Sequence, residues 1–254
     1  MVCSQNKNPQ TGIYRFADLM IRITTLYAYT HCRCEEYRID GSAYDFEVIM
    51  TQADIDYERA LAKDRDREEG VIRQYADAAL EFVAVYRRLA ERIPLFGAVL
   101  VHGSAIAVDQ NAYLFVARSG TGKSTHTRLW RERFGDRAVM VNDDKPLLRL
   151  REKCVDVCGS PWDGKHRLSS NITVPLRGFC VLEQAKTNTI ARIGKAEAYQ
   201  VMLQQIYRPE APESLKQTLI FVQALVERVA FWRLKCNMEP EAAEISFDAM
   251  HNPI

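Results

Sequence analysis

The sequence predicts an α/β core preceded by a smaller α+β region, and two observations carry that fold class. A continuously apolar run, residues 112–117, enters the glycine-rich stretch "ARSGTGKST" and then a helical pattern. This is the strand–loop–helix order of an α/β phosphate cradle. A second apolar strand, "AVMVN", follows and ends in the adjacent carboxylates of Asp143 and Asp144. In open α/β sheets, ligands bind at such strand ends.

The elements read as follows. "YRFADLMIRITTLYAYTHC" mixes apolar and β-branched residues with partial alternation and predicts strand, as does "AYDFEVIM". Thr51 can cap a helix beginning "TQADIDYERALAK", with Asp54 near its positive end. "KDRDREEG" reads as a solvated connector ending at Gly70. From Val71 to about Ile93 the apolar spacing predicts one long amphipathic helix, which Pro94 helps to end. "FGAVLVHGSAIAVDQNAYLFVA" predicts strand, strand, turn and strand, with "DQN" as the hairpin connection. Further strands are expected at "VMVN", "KCVDVC" and "GFCVLE", and weaker ones at "ITVPL" and "TIARI", where Pro175 suits an edge or a strand end. Helices at "KAEAYQVMLQQIY" and "ESLKQTLIFVQALVERVAFW", a strand "RLKCNM" and a helix after Pro240 complete the chain. Residues 1–90 form the expected N-terminal α+β region, and residues 91–254 the nucleotide-binding domain.

At 254 residues, 47% apolar and 26% charged, the chain has the composition of an ordinary globular protein with a sizeable core. A formal net charge of +1 gives no global electrostatic case for nucleic acid or an anionic membrane as partner. No apolar run approaches the roughly 18 residues that span a bilayer. The N-terminal "MVCSQNKNPQTGIYRF" lacks the basic-then-apolar order of a secretory signal, so the cytoplasm is expected. Seven cysteines, an odd number in a chain too large to need stapling, read as reduced thiols. His31, Cys32 and Cys34 in "THCRCEE" invite a metal reading. Alternate strand positions face opposite sides, however, and no second pair has ligand spacing, so they read as ordinary strand residues.

"ARSGTGKST" fits the Walker A pattern, with Ala117 in place of the first glycine. Gly120 and Gly122 let the backbone curl, so that the amides of the loop from Ser119 through Thr121 to Thr125 point into an anion nest. Lys123 adds a full charge at the β- and γ-phosphates, the Ser124 hydroxyl can ligate magnesium, and the following helix adds its positive end. Of Asp143 and Asp144, one can hold magnesium while the other orients or deprotonates a nucleophile. "GSPWDGKHRLSSN" gathers Lys165, His166 and Arg167 around Trp162. Lys165 and Arg167 are candidates to neutralise the charge dispersed over a migrating phosphoryl group, and Trp162 is a candidate wall of the nucleotide or acceptor pocket.

Together, His102-Gly103 in "LVHGSAIAV", the "SGTGKST" loop and the Asp-Asp pair resemble, in the same order, the P-loop kinase family of HPr kinase/phosphorylase. The fold of that family is related to phosphoenolpyruvate carboxykinase. Coverage runs roughly from Leu100 to Leu150. The resemblance extends to HPr-kinase-like proteins such as the peptide-tail kinases of lasso-peptide pathways and free-serine kinases. It implies that Lys123 and Ser124 bind phosphates and magnesium, Asp143 is the base, Asp144 the magnesium ligand and His102 a neighbour tuning the base. Thr125 stands where that family has an acidic residue, and its later glycine-rich signature is not apparent. Both departures point away from HPr itself as acceptor. The expected activity is ATP- and Mg2+-dependent transfer of the γ-phosphoryl group to a hydroxyl, either a serine in a peptide or protein or a small alcohol such as free serine. The alternatives are a nucleotide-binding regulatory module or an ATPase; carboxykinase activity is less favoured, and the oligomeric state is left open.

Overall fold

The computed structural model describes residues 7–118 and 120–251. The chain divides into two compact units, Met1–Arg92 and Ile93–Ile254.

The first unit opens with a hairpin. β1 (Lys7–Phe16) and β2 (Leu19–Tyr27) pair antiparallel around Ala17 and Asp18, whose φ angles of 50° and 59° make a tight two-residue turn. An Ala-Asp pair is a poor sequence signal for left-handed backbone, which is why "YRFADLM" reads as uninterrupted strand. α1 (Tyr29–Arg33) follows, then β3 (Arg38–Ile39) and β4 (Phe46–Ile49), giving a four-stranded sheet ordered β3-β1-β2-β4. His31 and Cys32 therefore lie on a helix and not on a strand. Cys32 is disulfide-bonded, so the expectation of uniformly reduced thiols fails there. That expectation treated the chain as one large core, whereas this unit is smaller and buries less of its surface.

α2 (Gln52–Glu69) starts at Thr51, whose backbone N–H donates to Asp54 at 2.9 Å. It runs on through "KDRDREE" to Gly70, which caps it with φ 67°, so the charged run is helix and not connector. Buried Asp66 explains what comes next. It accepts from the Arg73 backbone N–H and guanidinium, both at 2.9 Å, and from the Tyr75 hydroxyl at 2.7 Å. These bonds hold residues 71–76 out of helix, and α3 (Asp77–Arg92) begins six residues later than its apolar periodicity predicts.

A 3-10 turn at Ile93–Phe96 opens the second unit. Its strands are β5 (Ala98–Leu100), β6 (Ser104–Val108), β7 (Asn111–Val116), β8 (Ala138–Asn142), β9 (Leu147–Leu150), β10 (Val155–Cys158), β11 (Thr173–Gln184), β12 (Thr189–Arg192) and β13 (Ala230–Cys236). Its helices are α4 (Lys123–Phe134), α5 (Lys195–Gln205), α6 (Pro212–Arg228) and α7 (Glu241–His251). The sheet runs β5-β9-β10-β11-β7-β6-β8, with β13 also paired to β11 and β12 to β13. It is mixed: β7, β11 and β13 are parallel, and the β6–β7 hairpin turns at Asp109 and Gln110, with φ 49° and 64°. "ITVPL" and "GFCVLE" are one strand, β11. Pro175 pairs there with Asp156, ahead of the point where pairing with β7 begins at Leu176. The "VAFW" segment leaves α6 and supplies the start of β13, as its aromatic and β-branched side chains favour.

β7 shows why its sequence is continuously apolar. Ala112, Leu114 and Val116 pack with Met202 of α5 and Val222 and Leu225 of α6. Tyr113 and Phe115 pack with Leu129 and Trp130 of α4 and Ala242 of α7. Helices cover both faces, so the strand has no polar side to expose. This mixed α/β sheet is consistent with a nucleotide-binding α/β fold. Among the described residues, no helix is long and apolar enough to cross a membrane.

Candidate functional site

β7 delivers the chain into the glycine-rich loop, where Gly120 (φ 78°) and Gly122 (φ 113°) both adopt left-handed backbone. α4 begins immediately at Lys123, with Gly122 as a cap that offers no side chain. The first amides of α4 are therefore not consumed by a capping oxygen, which leaves a helix N-terminus able to meet an anion. The Lys123 ammonium donates to the Ala117 carbonyl at 3.2 Å, back across the loop. Burial pulls the Lys123 pKa below its usual value, partly offset by the nearby Asp144 carboxylate. Ser124 is exposed and Thr125 half-buried; Ser119 lies outside the described residues. Trp130 seats the helix in the core, 5.4 Å from Phe134 between ring centroids.

The two aspartates close β8, and the residue before them sets their geometry. Asn142 is fully buried; its amide donates to the Ser160 carbonyl at 3.0 Å and hydroxyl at 3.1 Å. Its oxygen accepts from the backbone N–H groups of Asp144 at 2.8 Å and Lys145 at 2.6 Å. This folds the chain around the carboxylates, the local use of Asn that defines an Asx-turn. Ser160 completes the brace by donating to the Lys145 carbonyl at 2.7 Å.

Asp143 and Asp144 meet different surroundings. Asp143 is buried and accepts the Gly164 N–H at 2.6 Å. Burial pushes its carboxyl above the usual range, more than that hydrogen bond pulls it down. Asp144 is half-buried; its carboxylate lies 3.3 Å from His102 Nε2 and 3.8 Å from Lys145 Nζ. Burial alone would raise it, yet the His102 bond and the charges of Lys145 and Lys123 together hold it below the usual range. The structure thus brings Lys123, Asp144 and His102 into one electrostatic neighbourhood, with Asp143 beside them.

His102 and Gly103 sit in the connection between β5 and β6 and not on a strand. The His102 N–H donates to the Gln205 carbonyl at 2.8 Å, and the Gly103 N–H to the Asp144 carbonyl at 3.1 Å. A Cβ on Gly103 would meet the Phe115 carbonyl oxygen at 3.0 Å, so the close approach of this connection to β7 favours glycine.

The stretch from Gly159 to Asn171 divides. Gly164 reaches Asp143: a Cβ there would lie 2.9 Å from the Asp143 carboxylate. Lys165, His166 and Arg167 are exposed on the turn that Gly164 opens, with the Arg167 N–H donating to the Gly164 carbonyl at 3.0 Å. Trp162 is buried, and its carbonyl accepts from Asn142 at 3.5 Å. It belongs to the brace beneath the aspartates.

A cleft of about 770 Å³ borders the glycine-rich loop at Ala117, Arg118, Gly120 and Thr121. Its other walls are the C-terminal end of β11 and one face of α5. Trp162, Asp143 and Asp144 do not line it. The sequence reading missed Asn142, Ser160 and the role of Gly164. The only signal was turn-forming chemistry, which leaves open which carboxylate a turn serves.

No protein-family model matches the chain. No curated protein matches it. Among solved structures it is similar to the Hpr(Ser) kinase/phosphatase from Coxiella burnetii, with TM-score 0.36 and 11% identity, over 59% of this chain and 94% of that chain. The functional reading therefore rests on the residues described above.

Proposed function

We propose that the second unit is an ATP-dependent phosphotransferase. In this reading, residues 91–254 bind ATP with magnesium and pass the γ-phosphoryl group to a hydroxyl, either a peptide or protein serine or a small alcohol such as free serine. The observation that carries the reading is the meeting of two devices. A left-handed glycine loop leads into Lys123, and a braced carboxylate pair stands beside it, with Asp144 held below the usual range first by the His102 bond, then by Lys145 and Lys123.

The roles follow from each group's surroundings. Loop amides and Lys123 bind the phosphate chain. The Ser124 hydroxyl and the Asp144 carboxylate are the hard oxygen donors suited to magnesium, which would neutralise phosphate charge. Among the described residues no group of three or more His, Cys, Asp or Glu side chains could hold a metal. That fits an ion whose remaining ligands are water and phosphate. His102 orients Asp144. Asp143 accepts the acceptor's proton as the new O–P bond forms and the bond from the γ-phosphorus to the bridging oxygen breaks, releasing ADP. Lys165 and Arg167, on the turn anchored to Asp143, supply cationic charge to the phosphoryl group.

Incubation with γ-labelled ATP and a cell extract tests the assignment. Label should pass into an organic acceptor whose release by phosphatase regenerates a hydroxyl. Label appearing solely as inorganic phosphate, at a rate no acceptor changes, would make the protein an ATPase. Tight nucleotide binding without turnover would make it a regulatory module.

A further inference from the structure

The cleft beside the glycine-rich loop has a composition unlike that of a phosphate site. Its ionic side chains cancel: Arg118 and Arg233 stand against Glu183 and Glu197. Arg233 is already engaged, bonded to Glu183 and, at 2.6 Å, to Glu197. It cross-links the end of β11 to α5 and fixes the width of the opening, leaving its guanidinium committed. Gln184 donates to the Thr121 carbonyl at 3.2 Å and ties the same strand end to the loop. Val181, Leu182 and Val201 supply apolar wall.

Five further polar side chains border the cleft: Arg118 and Thr121 on the glycine-rich loop, and Gln200, Gln204 and Gln205 on α5. Gln200 and Gln204 lie four residues apart on α5, hence on one helical face, and both border the cleft. Both are exposed, and neither makes a side-chain hydrogen bond among the described residues. A neutral, amide-edged cleft with apolar walls offers little to an anion. It suits a flat, uncharged heterocycle with hydrogen-bonding edges, and its volume lies within the roughly 300–1,000 Å³ usual for small-molecule sites.

We propose that this cleft receives the base of the nucleotide and that Gln200 and Gln204 make it selective for adenine. The inference rests on the assignment of the glycine-rich loop to the phosphates. A carboxamide carries a donor and an acceptor side by side, which matches the N6 amino group and N7 of adenine. The corresponding edge of guanine presents two acceptors, O6 and N7, which calls for an arginine or lysine fork; Arg233 is occupied by two carboxylates, and Arg118 stands on the glycine-rich loop itself, where the phosphates are assigned.

Calorimetric titration with the magnesium complexes of ATP, GTP and inorganic tripolyphosphate separates base from phosphate. The proteins compared are wild type, Gln200→Leu, Gln204→Leu and Lys123→Ala. Leucine preserves side-chain bulk and helix propensity, so α5 should survive. Wild type should prefer ATP to GTP by at least about tenfold. At least one glutamine variant should lose about five- to thirty-fold in ATP affinity, the scale of one or two hydrogen bonds. Its tripolyphosphate affinity should be unchanged and its ATP preference largely gone. Unchanged ATP affinity in both glutamine variants, with both ligands lost in Lys123→Ala, would place the base elsewhere and leave the phosphate assignment standing. Undiminished tripolyphosphate binding in Lys123→Ala would overturn the phosphate assignment and the base site with it.

Discussion

At the scale of single residues, the candidate site depends on small groups placed against charged ones. Gly164 brings its N–H within 2.6 Å of Asp143 and leaves no room for a Cβ, which would sit 2.9 Å from the carboxylate. Gly164→Ala should therefore displace the carboxylate or the turn. Phosphoryl transfer should fall by about tenfold or more, because misplacement of a reacting group by an ångström can cost about a hundredfold. ATP affinity should hold, and steady-state kinetics with direct titration would show the split. Lys123→Ala should abolish tight ATP binding while leaving the thermal transition in place, since the lysine is half-buried and its ammonium makes one hydrogen bond among the described residues, to the Ala117 carbonyl. Loss of the transition itself would mean that the lysine holds the loop together, not the ligand.

At the scale of elements, α4 is fastened to α7 by three buried polar groups. Trp130 Nε1 lies 3.1 Å from His126 Nε2 and 3.0 Å from Ser246 Oγ. His126 Nε2 also lies 3.2 Å from Ser246 Oγ, and its Nδ1 has no partner among the described residues. Burial accordingly pushes the His126 pKa from 6.5 down to about 3. The sign follows directly. Between those values the unfolded chain binds a proton that the folded protein refuses, so stability is full above pH 6.5 and falls as the pH drops. The loss from this one group between pH 7 and 5.5 should be about 1 kcal/mol. His31, pushed down to about 4 by burial, contributes in the same direction within the first unit. Urea unfolding at the two pH values should show the drop, and His126→Gln should flatten it. An identical slope in that variant would remove His126 as its cause.

Across the whole molecule, what the sequence makes legible is what local chemistry decides. The β6–β7 hairpin follows from "DQN" between apolar runs, and β7 from its lack of any polar position. The loop and α4 follow from glycines and a lysine in fixed order. Where a distant partner decides, the sequence is silent. Residues 71–76 have helical periodicity, yet Asp66 draws Arg73 and Tyr75 into its own hydrogen bonds and α3 starts late. β9, unanticipated at "LLRL", is strand because β5 and β10 flank it. In the candidate site Lys123, Asp143, Asp144 and His102 are visible as residue types. The brace of Asn142 and Ser160 is not, because it joins segments 18 residues apart through a buried amide.

The central claim is that Asp143 takes a proton while Asp144 serves the metal. The most direct measurement compares Asp143→Asn with Asp144→Asn for magnesium–ATP affinity and for transfer of labelled phosphate. Asp143→Asn should bind ATP as wild type does and lose about 10²–10⁴-fold in transfer, because an amide keeps the shape but cannot accept a proton. Asp144→Asn should instead need more magnesium, having lost a hard anionic ligand. Equal loss of ATP binding in both would assign the pair to the metal alone, and full transfer activity in both would contradict the account.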